Sequence, residues 1–116
     1  MRLYRKVCIS AGHKLNLPYE SACENPHGHN FVVELFLEGD VNRDTGMVID
    51  FVELKKIVSV LDHKWLNVIK GLEQPTAENI VLFLINRFRE LAVFNRIRVR
   101  VWETENSYAE DEWVSE

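Results

Sequence analysis

The stretch Cys23-Glu-Asn-Pro-His27-Gly-His29-Asn30, with His13 upstream, holds most of the side chains able to do chemistry. His27 and His29 are two positions apart, and on a strand side chains at i and i+2 point to the same side. A third imidazole from a neighbouring strand, that of His13, completes a three-histidine set. Three protein ligands with an open fourth position are the arrangement of a catalytic zinc rather than a structural one. Cys23 lies four residues before His27, close enough to act as nucleophile or base rather than as a ligand. A nearby cation or metal lowers a thiol pKa and exposes the thiolate. The ligand type points to zinc, and imidazole suits other divalent ions too.

Each of these residues has a plainer alternative. A histidine on its own is usually a surface or packing residue, and His-x-His pairs arise by accident. Asp62-His63 can finish a helix, with His63 complementing the helix dipole. Its functional reading is that His63 exchanges protons with Cys23 while Asp62 fixes the imidazole tautomer and supports its charge. Glu103, at the end of a strand, is either a solvated carboxylate or an acceptor of two parallel hydrogen bonds from an amino-pyrimidinone edge. Cys8 has no chemical setting and reads as packing.

These side chains need elements to hold them. Residues 3–13 alternate, with Leu3, Val7, Ile9 and Ala11 on one side and Tyr4, Lys6, Cys8 and Ser10 on the other, which predicts a strand ending at His13. Residues 14–28, with Pro18, Pro26 and Gly28, read as a long loop of the kind that carries function. Residues 29–38 alternate again around Phe31, Val33, Leu35 and Leu37. A turn over 39–46 precedes a helix capped by Asp50, with Glu53 reaching back as in a capping box. Phe51, Leu54, Ile57, Val58 and Leu61 form its apolar stripe. A connector over 62–74 leads to Pro75-Thr76, with Thr76 as N-cap of a second helix whose buried face is Ile80, Val81, Leu84, Phe88 and Leu91. Residues 96–102 alternate Ile97, Val99 and Val101 with Arg96, Arg98, Arg100 and Trp102, and a short final strand spans 109–114.

The order β-β-α-α-β-β predicts an α+β layer: an antiparallel sheet with both helices on one face. The arginine row then lies on the other face. It is either a solvated surface or the polar lumen formed when several sheets close edge to edge.

With 116 residues the chain reads as a single domain, 1–116. At 47% hydrophobic and 28% charged residues it builds a core and is not disordered. A domain this small buries only about two-thirds of its unfolded surface, so oligomerisation would help. A net charge of −4 argues against nucleic acid as the main partner. No apolar run reaches membrane-spanning or signal-peptide length, which predicts no membrane association and a cytoplasmic protein. Two cysteines make no disulfide framework, and both are expected as thiols.

Five motifs occur in order: Ser10-Ala-Gly-His13, Cys23-x-x-x-His27-Gly-His29-Asn30, Leu61-Asp-His-Lys-Trp-Leu-Asn67, Pro75-Thr-Ala-Glu-Asn79 and Trp102-Glu-Thr104. Together they resemble the 6-pyruvoyl-tetrahydropterin synthase / 6-carboxytetrahydropterin synthase family, over nearly the whole chain. The resemblance implies the tunnelling fold (T-fold), whose element order agrees with the periodicity. It implies homo-oligomers that close into barrels, often a hexamer of two stacked trimers, with active sites between subunits. It matches His13, His27 and His29 to zinc ligands and Cys23, Asp62 and His63 to a catalytic triad. Glu103 matches the pterin anchor, and Thr76 a residue near the pterin.

The spacing Cys-x-x-x-His-Gly-His looks like that of the 6-carboxytetrahydropterin synthases of 7-deazaguanine (queuosine) biosynthesis. The substrate implied is 7,8-dihydroneopterin triphosphate. The alternatives are a 6-pyruvoyl-tetrahydropterin synthase with the same site, a non-catalytic pterin- or zinc-binding oligomer, and a zinc-stabilised structural domain. The chain departs from the family at Gly12, where alanine or serine is usual, at Glu105 and Asn106 in place of Pro-Thr, and at Asp111 in place of tyrosine. These bear on the wall facing the substrate and not on the histidines.

Overall fold

A computed structural model describes residues 1–19 and 27–116. Four strands, β1 (Arg2–His13), β2 (His27–Gly39), β3 (Phe94–Thr104) and β4 (Ser107–Val114), form one antiparallel sheet in the order β1-β2-β3-β4. Two helices, α1 (Phe51–Ser59) and α2 (Ala77–Glu90), connect β2 to β3. The α+β layer expected from the periodicity is therefore the one observed, with longer strands.

The period-two alternation sets the sheet's two faces. Val7, Ile9 and Ala11 of β1, Phe31, Val33, Leu35 and Leu37 of β2, and Ile97, Val99 and Val101 of β3 are all buried. Leu54 and Val58 of α1 and Ile80, Val81, Leu84, Ile85 and Phe88 of α2 join them in one apolar cluster. Removing these side chains from water is the main favourable contribution to the fold.

Several boundaries differ from the expectations, each for a local reason. β2 begins at His27 rather than at residue 29, because its backbone pairs with His13 across the sheet. Asp50 caps α1, its Oδ1 accepting from the Val52 amide at 2.9 Å, but Glu53 ion-pairs with Lys56 at 3.2 Å instead of closing a capping box. Phe51, placed in the buried stripe, is 44% exposed at the first turn of α1. Leu91 lies beyond the last residue of α2, as its C-cap, and is exposed. The connector contains one turn of 3-10 helix, Leu66–Val68. Cys8 faces the polar side of β1 and is exposed, so it is not a packing residue.

The arginine row is more ordered than a solvated surface requires. Arg96 pairs with Glu112 of β4, and Arg100 Nε donates to Glu110 at 2.9 Å. Arg98 stacks over the Phe36 ring at 4.1 Å, and Arg100 over Tyr108 at 4.5 Å. Cross-strand charge pairs and cation–π contacts thus knit β3 to its neighbours. Glu34 lies at the centre, accepting from Tyr4 Oη and Trp102 Nε1, both at 2.6 Å. Those donors hold its carboxyl below the usual carboxylate range.

Candidate metal centre and active site

The ends of β1, β2 and β3 meet where α2 begins. His13 closes the apolar face of β1, and His29 and Glu103 continue the same faces of β2 and β3, two residues from Phe31 and Val101 respectively. Period-two geometry therefore delivers all three to one side of the sheet.

His13 is fully buried. Its Nδ1 lies 2.7 Å from the carbonyl oxygen of Pro75, which can only accept, so Nδ1 carries the proton. In the neutral ring Nε2 is then the lone-pair nitrogen, the tautomer a metal ligand needs. The His13 and His29 rings meet edge to face, with centroids 5.0 Å apart, and Phe31 packs against both. Glu103 Oε1 is 3.2 Å from His29 Nε2 and 3.6 Å from His13 Nε2. The donor atoms of His13, His29 and Glu103 all lie within 4.8 Å of one another. Two imidazoles and a carboxylate converging this closely, with one tautomer fixed by a backbone carbonyl, fit a divalent cation.

His27 stands directly opposite His13 in the strand register, two residues before His29. Its side chain and all of Cys23 lie outside the described residues.

The Asp62-His63 pair is set by β1, not by the end of α1. The helix stops at Ser59 and the chain turns onto the outer edge of β1. Ser10 N donates to Asp62 Oδ1 at 2.8 Å, His63 N to the Ser10 carbonyl at 2.6 Å, and Gly12 N to the Lys64 carbonyl at 3.0 Å. Asp62 Oδ2 then lies 3.1 Å from His63 Nδ1. The Ser10 amide, more than His63, holds the Asp62 carboxyl below its ordinary value. His63 takes a left-handed φ of 56° to make this turn, and its side chain is 82% exposed. It lines an open groove of about 460 Å³ together with Ser10, Gly12, Gly28 and His29. His63 and His29 thus share one groove.

Two further residues that sequence reasoning did not single out position the site. Asn67 donates to the Lys14 carbonyl at 2.7 Å and accepts from the Lys14 amide at 2.8 Å. Gln74 does the same for Asn16, donating at 2.8 Å and accepting at 3.0 Å. These side-chain amides replace a partner strand and fix the chain just beyond His13. Thr76 caps α2, its Oγ1 accepting from the Asn79 amide at 3.1 Å, immediately after the Pro75 carbonyl that holds His13. The pairing of Glu103 with the histidines was legible only through register: it stands on an odd position of β3, in phase with Val99 and Val101.

The profile of the 6-pyruvoyl tetrahydropterin synthase family matches residues 2–112. The chain belongs to this family. Its fold is the T-fold of these enzymes, which act as lyases on pterins. A protein of Archaeoglobus fulgidus, provisionally named 6-carboxy-5,6,7,8-tetrahydropterin synthase, is 42% identical over 106 residues, covering 88% of this chain and 87% of its own. The 6-carboxy-5,6,7,8-tetrahydropterin synthase of Synechocystis is 34% identical over 116 residues, covering 92% and 89%. The dihydroneopterin monophosphate aldolase of Pyrococcus furiosus is 33% identical over 118 residues, covering 97% of each chain. The structure of 6-pyruvoyl tetrahydropterin synthase from Caenorhabditis elegans superimposes with a TM-score of 0.73 at 25% identity, covering 100% of this chain and 96% of that one.

Proposed function

We propose that this chain is a zinc-dependent 6-carboxytetrahydropterin synthase. It converts 7,8-dihydroneopterin triphosphate and water to 6-carboxy-5,6,7,8-tetrahydropterin, acetaldehyde and triphosphate, in 7-deazaguanine biosynthesis. The observation that carries this reading is the convergence of His13, His29 and Glu103, beside a groove lined by both His29 and the Asp62-paired His63. The spacing of Cys23 from His27 and the names of the Archaeoglobus and Synechocystis relatives favour the carboxy-forming branch.

His13, His27 and His29 would hold the zinc, which supplies a Lewis acid for the hydroxyl-bearing side chain of the substrate. Cys23, as thiolate, takes a proton from that side chain. His63 returns one elsewhere, with ionised Asp62 at its Nδ1 keeping Nε2 as the working nitrogen and supporting the imidazolium. Glu103 accepts two hydrogen bonds from the amino-pyrimidinone edge of the ring. It faces a cleft of about 390 Å³ lined by Ala77, Glu78, Ser107 and Tyr108, and Thr76 stands at the helix start beside Ala77. The domain, 1–116, works as a cytoplasmic homo-oligomer, a hexamer of two trimers, with sites completed between subunits. Among the described residues no helix is long and apolar enough to cross a membrane.

The test is incubation of the zinc-loaded protein with 7,8-dihydroneopterin triphosphate and identification of products by mass spectrometry. 6-Carboxytetrahydropterin with acetaldehyde supports the reading, and 6-pyruvoyltetrahydropterin moves the chain to the pyruvoyl branch. A second reading, an aldolase acting on dihydroneopterin monophosphate, is favoured by the near-complete mutual coverage with the Pyrococcus furiosus enzyme. Cleavage of the monophosphate with no turnover of the triphosphate would establish it instead.

A further inference from the structure

We propose that Glu103 is itself a metal ligand in the substrate-free protein, closing the coordination position left by the histidines, and that the substrate ring displaces it. The inference rests on the metal-centre reading above.

Position and distance carry it. Glu103 shares the sheet face of His13 and His29, and its Oε1 lies 3.2 Å and 3.6 Å from their Nε2 atoms. Donors bound at about 2.0–2.1 Å to one tetrahedral ion are roughly 3.3–3.4 Å apart. A charge-assisted hydrogen bond between a ring nitrogen and a carboxylate is shorter, about 2.7–2.9 Å. The observed separations therefore resemble two edges of a coordination polyhedron more than a pair of hydrogen bonds. The Pro75 carbonyl adds a chemical reason. By fixing the proton of His13 on Nδ1, it turns a lone pair of His13 toward a carboxylate oxygen. A cation between the two relieves the contact.

Glu103 also has somewhere to go. Its side chain is 30% exposed, on the side of the cleft lined by Ala77, Ser107 and Tyr108. A ring edge offering N–H donors from that cleft competes for the same carboxylate. One residue then serves two partners in succession: it completes the resting centre and, once drawn off, anchors the ring. The position vacated opens only when a ring is present, which keeps the resting centre from acting on other hydroxylated molecules.

The test uses the full chain loaded with cobalt(II), whose visible absorption reports ligand set and coordination number. Glu103→Gln should change that spectrum and weaken cobalt and zinc binding by roughly tenfold or more. A pterin without a side chain offers the ring edge but no hydroxyl to the metal. Adding it to the wild type should shift the spectrum toward that of Glu103→Gln and leave the variant's spectrum unchanged. Glu103→Asp, which keeps the charge on a shorter stem, should weaken metal binding less than the amide does. Circular dichroism establishes that each variant is folded, and if the amide variant is not, the ring-induced shift in the wild type decides alone. Wild-type spectrum and affinity in Glu103→Gln, or no spectral response of the wild type to the bound ring, overturns the proposal. His13→Ala separates the two readings: lost cobalt binding there, beside an unaffected Glu103→Gln, leaves the metal centre standing and removes only the role of Glu103. A wild type that binds no cobalt removes both.

Discussion

Ser10 and Asp62 hold each other across 52 residues of sequence: the Ser10 amide donates to Asp62 Oδ1 at 2.8 Å, and the Ser10 carbonyl accepts from the next residue, His63. The strand that ends in His13 thus also fixes the orientation of the Asp62-His63 pair. Asp62→Asn keeps an oxygen for Ser10 but removes the charge facing His63. Turnover should fall by about 10²–10⁴-fold with the fold intact, as for loss of an oriented general acid–base. Because the Asp62 pKa is depressed in the folded state, its contribution to stability is present above the ordinary aspartate value and is lost as pH falls through the lower one. The acid limb of unfolding should therefore flatten in Asp62→Asn. Equal turnover and identical acid unfolding in variant and wild type would remove Asp62 from the site.

Cys23→Ala should abolish turnover while zinc stays bound at full stoichiometry. Metal analysis of the purified variant checks this against single-turnover kinetics. Loss of zinc from Cys23→Ala would make the thiol a ligand and end its assignment as base.

The fold was legible wherever one periodicity ran unbroken. Val7 to Ala11, Phe31 to Leu37 and Ile97 to Val101 alternate without interruption, and each forms a strand with the expected face buried. The errors fall where a residue type has two uses. Leu91 continues the helical stripe in sequence but comes after α2 has ended, and Glu53 satisfies a capping pattern yet finds Lys56 nearer. That His13 and His29 fall on one face was legible from the alternation of the two strands that carry them, whereas the side chain of His27 lies outside the described residues. The partnership of Glu103 with His29 spans 74 residues and depends on which odd positions of β2 and β3 align, and the roles of Asn67 and Gln74 depend on a loop laid beside β1. No local pattern encodes either.

Asn67→Ala should loosen the segment after His13 without touching His13, His29 or Glu103. Two hydrogen bonds to the Lys14 backbone are lost, a cost of about 1–3 kcal/mol. Urea unfolding reads the stability change. Hydrogen exchange should speed at residues 14–16 and not in β3. Uniform acceleration throughout the sheet would mean that Asn67 supports the whole domain rather than this segment.

Glu34 makes the polar face sensitive to acid. Its carboxylate accepts from Tyr4 and Trp102 and lies 3.7 Å from Arg100, and the first two hold its pKa down. A depressed carboxylate stabilises the fold above its ordinary pKa and ceases to do so as pH falls through the folded value. Glu34→Gln should lose about 1–2 kcal/mol near neutrality, where charge-assisted bonds become neutral ones, and progressively less as the pH is lowered. Denaturant titrations of both proteins across the acid range test the convergence. A constant difference at every pH would assign the effect to packing of Trp102 instead of charge.

Gly39 ends β2 at a bulge, where the chain must pass between Val48 and Val93. A Cβ built there would lie 2.6 Å from the Val93 carbonyl oxygen and 2.9 Å from a Val48 methyl, and the first of these is backbone. Gly39→Ala therefore forces the β2–β3 register apart at its closed end, at a cost of about 1–3 kcal/mol. Gly46 has a positive φ of 73° but open space around it, so Gly46→Ala meets no atom and is opposed only by backbone conformation, about 1 kcal/mol. Thermal unfolding of the two variants side by side distinguishes contact from conformation. If Gly46→Ala proves the more damaging, the close approach at Gly39 is relieved by movement of the Val93 backbone, and the β2–β3 end is softer than its packing implies.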